Sequence, residues 1–190
     1  MNHKYLEKIK ANIQDVSGQV LIKFGKLSVE QINWKISPEQ WSIGQCLDHL
    51  MTTNRSYYNV FRTIIEGRYR PTLWQRMPFI PEILGNMLIK ATQPENGKKS
   101  KTFALFEPAE SSVNELVVQE YLSHQSEFSG FINQLDQIEN HHIVISSPAS
   151  CWIVYRLKDC LKLLSFHEKR HLLQATGVLE NRRFPVKRNQ

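Results

Sequence analysis

The sequence predicts an all-α fold, an up-down four-helix bundle with an irregular segment between its second and third long helices. Three observations predict it. Apolar residues recur at three- and four-residue steps through four long stretches of the chain. Prolines crowd one region, with Pro71, Pro78, Pro81, Pro94 and Pro108 all falling between residues 71 and 112. His49, His167 and His171 fall on two of the helical stretches, and helix bundles build metal sites from inward residues on facing helices.

The first helix is expected over residues 4–23. Tyr5, Ile9, Ile13, Val16, Val20 and Phe24 form its stripe, and Gly25 stops it. Residues 27–41 are a connection in which Leu27–Ile32 add a short turn and Pro38 bars a helix interior. Ser42 is placed to cap the second long helix, and Gln45 completes a capping box. That helix runs to about Glu66, with Gly67 as its stop. Its inner face carries Ile43, Cys46 or Leu47, Leu50, Tyr57, Phe61 and Ile64 or Ile65. Within the irregular segment, Pro81 opens a short helix to Ala91, since proline suits a first helical position. Residues 93–110 are expected as an exposed loop. Ser111 or Ser112 caps the third long helix, with Glu115 following, and that helix ends near Ile138 with Leu116, Tyr121 or Leu122, Phe128, Phe131 or Ile132 and Leu135 inward. Residues 140–150 are a turn-rich link in which Val144-Ile145 is too short to imply a sheet. The last helix spans about 157–179 and carries Leu161, Leu164, His167, His171 and Leu172.

At 190 residues, one domain over 1–190 is expected, with a basic tail from about 181. No apolar run reaches the roughly 18–20 residues of a membrane span, and residues 1–8 lack the apolar core of a signal peptide. Cys46, Cys151 and Cys160 are odd in number and follow no CxxC spacing, which argues against a disulfide framework. A cytoplasmic protein is expected. The net charge of +6 gathers at Lys98-Lys99-Ser100-Lys101 and between Arg182 and Arg188. Neither cluster lies along a helix face with interleaved aromatics, so solubility and a frayed terminus are preferred to a nucleic-acid footprint. A positive surface also suits an anionic small substrate.

The chemistry concentrates in Ser165-Phe166-His167-Glu168-Lys169-Arg170-His171. His167 and His171 leave one helix face with Cβ atoms roughly 5–6 Å apart, and they share it with Cys160, Leu164 and Gln174. Burying two unpaired rings side by side would cost about 1–3 kcal/mol each, a cost that a shared metal removes. With His49 from another helix, three imidazoles would leave an open coordination position, the arrangement of catalytic metals. The same histidine spacing also arises by chance on exposed helices. Cys46, three residues before His49, is either a fourth ligand that closes the site or a small buried apolar-like residue. His3, His124, His141 and His142 have no matching spacing.

Residues 167–171 match HExxH literally. No strand-and-cleft organisation for holding a peptide is visible, which argues against a peptidase. Glu168 is expected either to back the ligands or to form a surface ion pair. Glu168 and Gln174 are the candidate catalytic side chains, Gln174 as one that orients a ligand. Trp34 and Trp41 seal one end of the bundle, or else wall a pocket near His49.

Trp34 and Pro38, then Trp41-Ser42-Ile43-Gly44 with His49-Leu50, then His167-Glu168-Lys169-Arg170-His171-Leu172-Leu173-Gln174 carry a resemblance. The chain resembles the DinB-like superfamily of bacterial metal-binding four-helix bundles, which includes YfiT-like proteins and thiol-dependent transferases. The resemblance implies one divalent metal bound by His49, His167 and His171, and three imidazoles suit zinc or nickel, with iron as an alternative. The resemblance also implies a homodimer, and an activity of hydrolysis or thiol S-transfer on a small-molecule substrate, with a low-molecular-weight thiol as a candidate co-substrate. Against this enzyme stand a non-catalytic metal-stabilised interaction module and, behind it, a nucleic-acid binder using the basic tail.

Overall fold

The computed structural model describes residues 3–94, 103–108, 112–138 and 142–185. Six α-helices and one two-stranded sheet are found among them: α1 (His3–Phe24), α2 (Val29–Asn33), α3 (Ile43–Ile65), α4 (Ile80–Thr92), α5 (Val117–Asp136), β1 (Val144–Ser147), β2 (Ser150–Arg156) and α6 (Leu157–Leu179). Short 3₁₀ turns occur at Trp74–Arg76 and Ala104–Phe106. The fold is mostly helical, as expected. The helices α1 and α3 each pack against both α5 and α6.

Leu6, Ile9, Ile13, Val16, Val20 and Phe24 of α1 are all buried. Each such side chain contributes roughly 1.5–3 kcal/mol when fully withdrawn from water, so this stripe fixes which face of α1 turns inward. The α1 residues divide between two apolar clusters. One gathers Ile13, Tyr57, Phe61, Phe128, Ile132, Leu161 and Leu164. The other gathers Val16, Ile43, Leu47, Leu50, Tyr121, Leu172 and Ala175. The second holds the helix turns that carry the histidines.

The start of α3 is set locally. The Ser42 hydroxyl accepts from Gln45 N at 3.1 Å, and Gln45 Oε1 accepts from Ser42 N at 3.2 Å, closing the expected capping box. Ser28 and Gln31 build a second box at α2. Gly44 sits where a Cβ would come within 2.2 Å of Val113 Cγ2 and 2.8 Å of Ile32 Cγ2. Only glycine lets α3 begin this close to its neighbours. Gly67, at φ 67°, ends the helix in the left-handed region.

Three expectations are corrected. First, residues 144–156 form an antiparallel hairpin, not a link, with Ile145 opposite Tyr155 and Ser146 opposite Val154. A lone hairpin is marginal in water. This one is anchored because Ile145, Val154 and Tyr155 are buried, and the Tyr155 and Tyr57 hydroxyls bond at 2.7 Å. The hairpin leads directly into α6, with Leu157 N bonded to Ile143 O at 2.8 Å. Second, Ser112 does not cap α5. Its N-cap is Leu116, and Asn114 Oδ1 accepts from Leu116 N just before it. Ser111 lies outside the described residues. Third, the start of the tail is docked. Gln31 Nε2 donates to Pro185 O at 2.7 Å, Arg183 donates to Ile36 O at 3.0 Å, and Phe184 packs edge-on against Trp34. Lys98, Lys99, Lys101, Lys187 and Arg188 lie outside the described residues.

Candidate metal centre

His49 stands in the second turn of α3, while His167 and His171 stand one turn apart on α6. One nitrogen from each ring falls within a group whose members all lie within 4.8 Å of one another. The ring centroids are 4.8 Å apart for His49 and His167, and 4.5 Å for each of the other two pairs. His49 and His171 are buried and His167 keeps part of its surface.

Each ring is held differently. His49 Nδ1 bonds to the Phe106 carbonyl in the 3₁₀ turn. A carbonyl only accepts, so Nδ1 carries the proton and Nε2 is left as a bare lone pair. That lone pair faces His167 Nε2 at 3.0 Å. Nδ1 of His167 and Nδ1 of His171 have no hydrogen-bond partner in the described structure. Trp41 lies over the site, 4.7 Å from the His49 ring and stacked on His171 at 5.6 Å and 23°.

Burial pushes all three imidazoles toward the neutral form. His49 is lowered by burial, with the Phe106 carbonyl opposing. His167 is driven well below its usual value by burial, and then by His171, His49 and Arg170. His171 is lowered well below by burial, then by His49 and Arg170, with Gln174 opposing. Neutral rings keep the lone pairs that metal ligation requires. Three converging imidazoles, unprotonated and short of hydrogen-bond partners, therefore suit a divalent transition metal.

Behind the histidines lies a buried polar network. Glu168 is fully buried, which excludes a surface ion pair. Its Oε1 accepts from Asn54 Nδ2 at 2.7 Å and its Oε2 from the Tyr121 hydroxyl at 2.5 Å. Burial raises its pKa, and Tyr121, Gln125 and Asn54 oppose that rise. Asn54 Nδ2 also lies 3.2 Å from His124 Nε2, and His124 Nδ1 lies 3.2 Å from the Tyr58 hydroxyl. The Asn54 amide donates to both Glu168 and His124, so His124 carries its own proton on Nδ1 and donates it to Tyr58. The network ties α3, α5 and α6 together directly behind His167.

His124 and Asn54 were not among the expected functional residues. Their partners come from other helices, so no local spacing marks them. The nearest sequence cue is that Tyr121, His124, Gln125 and Phe128 share one buried stripe of α5. Cys46 is wholly buried in the apolar cluster and its thiol is pushed up to about 12 by burial. It does not belong to the converging group. Gln174 is exposed, one turn beyond His171. His142 is exposed on the link, and His141 lies outside the described residues. Of the two tryptophans, Trp41 walls the site and Trp34 packs at the docked tail.

One family model, described as the DinB superfamily, matches residues 18–175. No curated protein and no solved structure matches the chain.

Proposed function

The chain belongs to the DinB superfamily, and on that premise we propose that it is a metal-dependent enzyme whose divalent transition metal is held by His49, His167 and His171. The metal is zinc or nickel, with iron as the alternative. The reaction is hydrolysis, or S-transfer from a low-molecular-weight thiol, on a small electrophilic substrate. The four long helices are read as one up-down bundle and the working assembly as a homodimer. Three free cysteines suit a reducing, cytoplasmic setting, and no helix among the described residues is long and apolar enough to cross a membrane.

The observation that carries this reading is the convergence of the three imidazoles. Three protein donors is the number that catalytic zinc sites use. When bound, such a metal supplies Lewis acidity and lowers the pKa of a water or thiol. The chain's own contribution is to hold the donors ready. The Phe106 carbonyl fixes the His49 tautomer, and burial keeps each ring neutral. Trp41 covers one side of the site. Both Glu168 oxygens already accept hydrogen bonds, which favours a positioning role over that of a general base. Gln174, exposed beside His171, is the better placed of the two to meet a substrate.

The competing interaction module needs a closed site, with Cys46 or another side chain in the last position. The place of Cys46 in the apolar cluster favours the enzyme. Cobalt-substituted protein tests the choice. The visible spectrum is expected to shift when a small thiol such as 2-mercaptoethanol is added. An unchanged spectrum would mark a closed site and overturn the enzymatic reading.

A further inference from the structure

A second concave site lies at the opposite end of α3, independent of the metal centre. Ile64 at its wall is fifteen positions along the helix from His49, or about 22 Å at 1.5 Å per residue. The cavity has a volume of about 650 Å³, inside the roughly 300–1,000 Å³ range of small-molecule pockets.

Its lining is strongly cationic. Among the described residues, Arg70, Arg76 and Arg156 face it with one carboxylate, Glu82. Glu82 is committed to Arg156 at 2.8 Å. Among the described residues, Arg70 donates to the Gly67 and Tyr69 carbonyls and pairs with no carboxylate. Arg76 pairs with no carboxylate among the described residues. Among the described residues, neither guanidinium is paired with a carboxylate, and the surrounding walls focus their field.

The rim is apolar. Phe79 is 77% exposed and Met77 is 45% exposed. Phe79 has φ 65°, a conformation that bulky residues rarely adopt. Ile80 N bonds across it to Pro78 O at 2.8 Å, closing a tight three-residue turn. Its effect is to hold an aromatic ring out at the cavity mouth beside the guanidiniums.

We propose that this cavity binds a small organic anion with an apolar body. The carboxylate, sulfonate or phosphate engages Arg70 and Arg76, with guanidinium forks suited to planar or tetrahedral oxyanions. Phe79 and Met77 cover the apolar part.

Calorimetric titration of the full chain with naphthalene-1-sulfonate tests the proposal, with uncharged 1-naphthalenemethanol as the matched control. Saturable binding is expected for the anion, and affinity at least about tenfold weaker for the alcohol. The double variant Arg70→Gln, Arg76→Gln weakens the anion by about tenfold or more. Phe79→Gly, which relaxes the backbone, also weakens it. His171→Ala leaves it unchanged. Equal affinity for the two probes, or full affinity in the arginine double variant, overturns the proposal. So does vesicle binding that depends on Arg76 and Phe79, measured with phosphatidylglycerol vesicles, if the soluble anion does not bind. That result would make the surface a membrane contact.

Discussion

The Nε2 atoms of His49 and His167 face one another at 3.0 Å, although 118 positions separate the two residues in the chain. The His49 nitrogen has no proton to offer, because the ring's only proton is committed to the Phe106 carbonyl. His171 completes the group from the next turn of α6. A residue remote in sequence, a backbone carbonyl and a helical repeat together bring the three rings into one group.

Tyr121→Phe is expected to destabilise the protein by about 1.5–3 kcal/mol, the range for a buried hydrogen bond to a charged group. The lost hydroxyl donates to Glu168 Oε2 at 2.5 Å in a fully buried setting. Urea unfolding at neutral pH measures the change. A loss below about 0.5 kcal/mol would mean that the network behind His167 does not hold the carboxylate.

His124 makes stability depend on pH. Burial, and then Arg55, lower its pKa from 6.5 to about 4. Between those values the unfolded chain binds a proton that the folded protein refuses. Stability therefore falls as pH drops through that window, by up to roughly 3 kcal/mol. Unfolding free energies at pH 7 and pH 4.5, compared with His124→Gln, isolate this contribution from the other histidines. Wild type should lose more than the variant. Parallel losses would contradict the assignment.

Gly44 and Gly18 give opposite expectations for the same substitution. Gly44→Ala drives a Cβ into Val113 and Ile32 and should cost about 1–3 kcal/mol through overpacking. Gly18→Ala meets nothing within 4 Å and should stabilise by about 0.5–1 kcal/mol, because glycine is a poor helix residue. Thermal unfolding of both variants checks this pair. A tolerated Gly44→Ala would show that α3 does not need its close approach to α2.

Much of this was legible in the sequence because it is local. Ser42 and Gln45 lie three residues apart, and a capping box needs no tertiary information. The α6 boundaries and the shared face of His167 and His171 follow from helical periodicity alone. The hairpin was missed because its first strand shows only Val144 and Ile145 before two serines. The signal lay in the second strand, where Trp152, Ile153, Val154 and Tyr155 are aromatic or β-branched. The Glu168 network was hidden for another reason. Glu168 sits off the His167–His171 face, and only the packing of α3 and α5 reveals that its own face is buried too. The role of the Phe106 carbonyl could not be read at all, since every residue has a carbonyl and only the fold brings this one to His49.

The most direct measurement is elemental analysis of natively purified wild-type protein beside the double variant His49→Ala, His171→Ala. About one transition-metal ion per wild-type chain is expected and none in the variant. Wild-type protein that holds no metal even after reconstitution, or a variant that holds as much as wild type, would contradict a metal site at these histidines.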